Sequence, residues 1–200
     1  MLVYGFLCLY LKRIGLNRKN NNGGFSLIEI LLALAIGSII FISMYSILDF
    51  TLTGSKLADM EDEILLNGQY ALEHIKREIR EADEIIGLHK IEGAEDKYDN
   101  NFGFVIKKYN ETASYKYNYS TYYFENNKIW RDAFNTNVDK LPRAANLKGS
   151  NEIAEYVISI EGTGIDFDSK LIRLSFTFKG EAGKERRFET QLGIRCPILY

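Results

Sequence analysis

The chain has 200 residues, with 25 basic and 27 acidic side chains, two cysteines and two prolines. That length holds one ordinary domain with a real core beside a targeting or membrane segment. The slightly acidic balance makes a poor general DNA binder, and two cysteines cannot build a disulfide scaffold.

In chain order, residues 1–11 are apolar but too short to span a bilayer. They are either an extension of the segment that follows or lie upstream of a start codon nearer Leu11. Lys12, Arg13, Arg18 and Lys19 then come without any acid. From Phe25 to Phe50 the only charge before Asp49 is Glu29, and as a helix at ~1.5 Å per residue this stretch reaches about 39 Å, enough to cross a hydrocarbon core. The cations upstream predict a cytoplasmic N-terminus and an extracytoplasmic C-terminal part. A secretory signal is disfavoured, because the apolar run exceeds the ~7–15 residues of an h-region and no small-x-small site follows it. Glu29 is the anomaly: an ionised carboxylate inside a bilayer costs about 2.5–3.5 kcal/mol on insertion scales and normally has a partner. Cutting the chain after Gly24 would supply one, the new α-amino group of Phe25, on the same helix or on a neighbour's.

Gly24-Phe25-Ser26-Leu27-Ile28-Glu29, with a basic leader before it and an apolar run after it, resembles the type IV prepilins and the related pseudopilins over residues 12–50. The resemblance implies cleavage by a prepilin peptidase between Gly24 and Phe25, N-methylation of Phe25 and a role for Glu29 in assembly. The implied divisions are a removed leader at 1–24, the transmembrane half of a helix at 25–50 and a soluble pilin-like domain at 51–200. Without the leader, 21 basic side chains stand against 27 acidic ones, a net side-chain charge of −6, and Cys196 is left without an intramolecular disulfide partner. Cys196 is expected as a small strand residue.

Beyond Asp49 the apolar spacing stays helical through Leu57, Met60, Ile64, Ala71, Leu72, Ile75, Ile79, Ala82 and Ile86, predicting an amphipathic continuation to about residue 86 with Gly87 as its stop. Gly54 and Gly68 weaken it by about 1 kcal/mol each, and a bend or loosened turn near Gly54 is expected. From Phe102 the period becomes two. Strands are predicted at 102–109, 114–124 and 128–134, with Asn126-Asn127 as a tight turn, and further strands at about 155–161, 170–179 and 185–195. The predicted fold is α+β: a long N-terminal helix packed on an antiparallel sheet.

Leu66 to Ala82 on the helix, the Tyr-Tyr-Phe strand turning into Ile129-Trp130-Arg131 and the closing Arg187 to Arg195 strand are similar to the J-type pseudopilins and PilW-like minor pilins. That similarity implies a low-copy structural subunit that joins other minor pilins to initiate or cap a filament. Its partners would be prepilin peptidase, other minor pilins or pseudopilins, the major pilin, the membrane platform protein of the assembly machine and the membrane itself. It would reside in the cell membrane as a single-pass protein and then in a filament at the cell surface, that of a pilus, a secretion system or a competence apparatus. The alternative is a filament-tip binding module for DNA, an adhesion target or a secretion substrate.

No nucleophile-elbow or phosphate-loop motif is present, so no enzyme is predicted and there are no catalytic residues to name. His74 and His89 have no cysteine near them in sequence and are expected in surface or packing roles. Asp166, Asp168 and Ser169, or Asp96, Asp99 and Asn100, carry oxygens of the kind calcium takes without its full loop pattern, so neither a metal nor a cofactor is predicted. Tyr115, Tyr117 and Tyr119 alternate along one strand face and are expected to pack the sheet on a helix, while Lys107-Lys108 and Lys184 with Arg186-Arg187 are expected as solvated hairpin faces.

Overall fold

The computed structural model describes residues 24–180 and 183–200. Lys12, Arg13, Arg18, Lys19, Cys8 and the apolar segment 1–11 lie outside the described residues. The chain divides into two units, 1–51 and 52–200.

The long helix α1 runs Leu27–Arg80 without interruption at Gly54. In the first unit its apolar side chains are exposed, and the helix is long and apolar enough to cross a membrane. Four serine and threonine hydroxyls here are satisfied by the helix itself: Ser38 Oγ donates to the Ala35 carbonyl at 2.8 Å, Ser43 to Ile39 at 2.9 Å, Ser46 to Ile42 at 2.9 Å and Thr51 to Ile47 at 2.8 Å. These four hydroxyls need no water, which is what a hydrocarbon environment demands.

In the second unit α1 buries a stripe, Ile64, Gly68, Ala71, Ile75, Glu78 and Ile79. The helix ends six residues before the predicted boundary, and Ile86 belongs to a strand. The reason is visible in the pair Ile85-Ile86, which fits a helical stripe as well as a strand buried on both faces. Here Ile85 joins the core under α1 and Ile86 the core on the sheet's other side. Arg77 and Arg80 close the last turn, where cations favour the helix dipole.

The strands are β1 Glu84–Gly87, β2 Asn101–Tyr109, β3 Tyr117–Glu125, β4 Lys128–Thr136, β5 Asn151–Ala154, β6 Val157–Ser159, β7 Gly164–Asp166, β8 Leu171–Lys179, β9 Glu185–Gly193 and β10 Ile198–Leu199, with a four-residue helix α2 at Ala94–Lys97. The α+β arrangement is as expected. Instead of one sheet, however, there are two: a six-stranded one in the order β10-β1-β2-β3-β4-β5 and a second in which β8 is flanked by β9 and by β6 with β7. β10 pairs parallel to β1 and closes the edge of the first sheet. The predicted strand at 155–161 is shorter, and β6 and β7 behave as one interrupted row along β8, pairing at Val157↔Phe178 and Ile165↔Ile172. Thr163 bridges the interruption, its hydroxyl donating to the Ser175 carbonyl at 2.8 Å and accepting from the Ser175 amide at 2.9 Å. The β3–β4 turn is the predicted one, with Asn126 and Asn127 both at positive φ (53° and 61°).

Ile75 of α1, Phe102, Phe104 and Tyr122 of the first sheet and Phe176 and Phe178 of the second form the main core. A smaller core lies on the opposite face of the first sheet, where Leu88, Ile91, Ala94, Tyr98, Ala144 and Leu147 cover Ile86, Val105 and Tyr119. At Gly68 and Gly180 the helix approaches the second sheet so closely that a Cβ would lie 2.4 Å from the Phe188 ring or from Ile64 Cδ1 respectively. Gly68 therefore trades helix propensity for packing.

Candidate functional site at the start of the helix

The first helical turn is organised by two side chains. Glu29 Oε2 accepts from the Ser26 amide at 2.9 Å and from the Ser26 hydroxyl at 2.9 Å, and the Ser26 hydroxyl accepts from the Glu29 amide at 3.3 Å. This reciprocal capping box satisfies amides that would otherwise be orphaned at a helix start, and it fixes Leu27 as the first helical residue. Gly24 and Phe25 precede the helix, and Phe25 is 85% exposed. Glu29 was expected to need a cation; Ser26 already gives it two hydrogen bonds. The signal for this cap in the sequence is the Ser26-x-x-Glu29 spacing ahead of the apolar run.

The second unit holds a buried polar cluster on which the sequence reading placed no role. Glu78 of α1 accepts from Arg131 of β4 at both oxygens, Nε to Oε2 at 3.0 Å and Nη2 to Oε1 at 2.9 Å. The Tyr122 hydroxyl donates to Oε2 at 2.6 Å and the Ser120 hydroxyl at 3.1 Å. Since Tyr122 spends its proton on Glu78, the contact of 3.3 Å between the Tyr122 oxygen and His74 Nδ1 requires Nδ1 to be the protonated nitrogen. Burial pushes the Glu78 carboxyl up, and the Arg131 and Tyr122 hydrogen bonds with the Arg131 and Lys108 charges outweigh it, leaving the group below its ordinary value. Burial holds the His74 imidazole below its ordinary value, although the Glu78 charge pulls the other way. The signal that could have found this cluster is a carboxylate inside the apolar stripe between Ile75 and Ile79.

A second cluster pins the small core. Asp132 accepts from Tyr98 at 2.5 Å, from Lys97 at 2.8 Å and from the Ser150 hydroxyl, and Lys97 also donates to the Leu147 carbonyl. Burial raises the Asp132 carboxyl, but its three donors and the Lys97 charge bring it below the usual range.

Several expectations are corrected. Tyr117 and Tyr119 do share a face, but they sit in the small core away from α1, Tyr115 precedes the strand and is exposed, and Tyr122 is the ring that meets the long helix. Lys107 and Lys108 are partly exposed and ion-paired: Lys107 pairs with Asp139 at 2.7 Å and Glu84 at 3.1 Å, and Lys108 with Glu81 at 2.9 Å. Lys184, Arg186 and Arg187 do lie on a solvated face: Lys184 and Arg186 reach Glu61 of α1 at 3.4 and 3.6 Å, and Arg187 pairs with Glu189 at 3.4 Å, all with largely exposed side chains. Cys196 lies in the link between β9 and β10 rather than in a strand. His89 rests against Phe167 and Tyr200 at ring-centroid distances of 6.4 and 5.4 Å. Asp166 Oδ1 accepts from the Asp168 and Ser169 amides at 3.0 and 3.2 Å, so this carboxylate shapes the β7–β8 turn. Asp96 lies in α2, and among the described residues no group of His, Cys, Asp and Glu side chains is placed to hold a metal.

Compared with known proteins, the chain matches no curated relative and no solved structure. It does match the prokaryotic N-terminal methylation motif over residues 19–45, a stretch that contains Gly24, Phe25, the Ser26–Glu29 box and the first part of the apolar helix. That match, on a helix with this start and this length, supports the type IV prepilin-like class for the chain.

Proposed function

We propose that the protein is a minor pilin or pseudopilin. Residues 1–24 form a leader that prepilin peptidase removes, residues 25–50 are the membrane-spanning half of the helix, and residues 51–200 are the soluble domain. Prepilin peptidase cuts between Gly24 and Phe25, Phe25 is N-methylated, and Glu29 directs the subunit into a filament. The domain is a shaped structural subunit, non-enzymatic, that joins other minor pilins and the major pilin at a membrane platform to initiate or cap the filament. The observation that carries this reading is the methylation motif lying across the Ser26–Glu29 helix start, with the scissile bond two residues ahead of the first helical turn.

Mass spectrometry of the protein from cells that carry the peptidase tests it. A methylated Phe25 at the N-terminus is expected, and Gly24→Leu leaves the precursor uncut. A retained leader or another N-terminus rules the reading out.

A further inference from the structure

Strand β9 is paired on one side only. Its nine residues run along β8 from Leu171↔Gly193 to Lys179↔Glu185 without a register shift, and among the described residues no strand lies on its other edge. A long unbulged edge is a template for another strand. The first half of β9 is guarded by charge at Glu185, Arg186, Arg187 and Glu189, whereas Thr190 to Ile194 carry none. Beside this uncharged half opens a cleft of ≈ 720 Å³, walled by Ile79, Arg80 and Ala82 at the end of α1 and by the chain from Gln191 to Cys196. Its floor is apolar through Ile79, Leu192 and Ile194, each under a tenth exposed.

Two arginines line the cleft, Arg80 from α1 and Arg195 from the link after β9. Both are exposed, and neither has an ion-pair or hydrogen-bond partner among the described residues, so two unpaired guanidinium groups face one cleft. Gly193 leaves the edge open to a close approach, with no atom within 4 Å of where its Cβ would stand. The chain's own C-terminal strand is engaged elsewhere, since β10 pairs with β1 and Tyr200 stacks on Phe167 at 4.4 Å.

We propose that the β9 edge and its cleft bind an extended peptide segment carrying acidic side chains, supplied by a different neighbouring subunit. The partner's backbone adds to the free edge from Thr190 onward, apolar side chains enter the floor, and carboxylates meet Arg80 and Arg195. The identity of the donor as a filament subunit rests on the proposed function; the recognition chemistry does not.

The test uses the full chain in detergent and a short, capped, fluorescent peptide of alternating valine and glutamate. Saturable binding is expected. It weakens by roughly tenfold or more when lysine replaces glutamate in the peptide, when alternate backbone amides are N-methylated, or when Arg80→Glu and Arg195→Glu are introduced together. Circular dichroism of that variant should be unchanged, because both side chains are on the surface. Failure of the glutamate peptide to bind, equal binding of the lysine or N-methylated peptide, or indifference to the double charge reversal overturns the proposal. Concentration-dependent dimerisation that disappears in the double variant also overturns it, by making a second copy the occupant. Peptide binding is read without any processing step, so an uncut leader would defeat the proposed function and leave this result standing.

Discussion

Glu78 and Arg131, on α1 and β4, meet through both carboxylate oxygens, at 3.0 and 2.9 Å, with only 11% and 15% of their side chains exposed. A pair this enclosed is costly to break from one side. Removing one partner leaves a buried charge, which costs about 3–5 kcal/mol, whereas replacing both by apolar groups of similar volume is often neutral. Glu78→Ala and Arg131→Ala are each expected to lower stability by that amount in denaturant unfolding of residues 52–200. The double variant Glu78→Leu with Arg131→Met is expected to lose far less than the two single losses combined.

Acid should act on the same clusters. Glu78 and Asp132 have folded-state values below their ordinary ones, so the stability they contribute is present above about 4.3 and 3.9, the unfolded values, and is lost as pH falls through the folded ones. His74 is also lowered, so the unfolded chain takes its proton first, and stability starts to fall as pH drops below about 6.5. Urea midpoints between pH 8 and pH 3 should show two declines, and His74→Gln should remove the upper one only.

Gly54 and Gly68 should respond oppositely to alanine. Nothing lies within 4 Å of a Cβ at Gly54, so Gly54→Ala gains the helix propensity of alanine, about 1 kcal/mol. At Gly68 the same gain is opposed by the Phe188 ring, which stands edge-on to Phe178 at 5.4 Å and would have to swing out. Overpacking costs about 1–3 kcal/mol, so Gly68→Ala is expected to be neutral to destabilising by about 2 kcal/mol, and Phe188→Leu in the same chain should restore the gain. Thermal unfolding of the three variants checks this.

Which parts of this architecture could be read from the sequence follows from how local their causes are. The apolar span, the Asn126-Asn127 turn and the strands β2, β4, β8 and β9 are set by periodicity and turn chemistry within a few residues. The end of α1 was misplaced because Ile79, Ala82 and Ile86 keep helical spacing while Ile85 and Ile86 are in fact buried on opposite faces of a strand. The parallel β1–β10 pair depends on two residues returning from the far end of the chain. Glu78 and Arg131 are 53 positions apart, and each stands among other charges, so only three dimensions show that these two are the ones that meet. Arg80 and Arg195 were equally ordinary in sequence until the fold set them on one cleft.

The capping box sharpens what Glu29 can be asked. As a hydrogen-bond acceptor its carboxylate holds the Ser26 amide and hydroxyl; as a charge, under the proposed function, it would meet the amine that cleavage gives Phe25 of a neighbouring subunit. Glu29→Leu removes both duties, while Glu29→Gln keeps an oxygen for the cap and removes the charge, since glutamine serves at this box position as well as glutamate. Neither change touches the Gly24–Phe25 bond, and both relieve the cost of a carboxylate in the bilayer, so both variants are expected to be processed normally. If the assembly role is charge pairing, both should be absent from the sheared filament fraction, because a buried ammonium without its carboxylate is strongly disfavoured. If the role is the cap, Glu29→Gln should assemble and Ser26→Ala should fail alongside Glu29→Leu. The expected pattern is loss of incorporation in both Glu29 variants with Ser26→Ala retained, read by comparing processed protein in membranes with protein in sheared filaments; normal incorporation of Glu29→Gln would take the charge out of assembly.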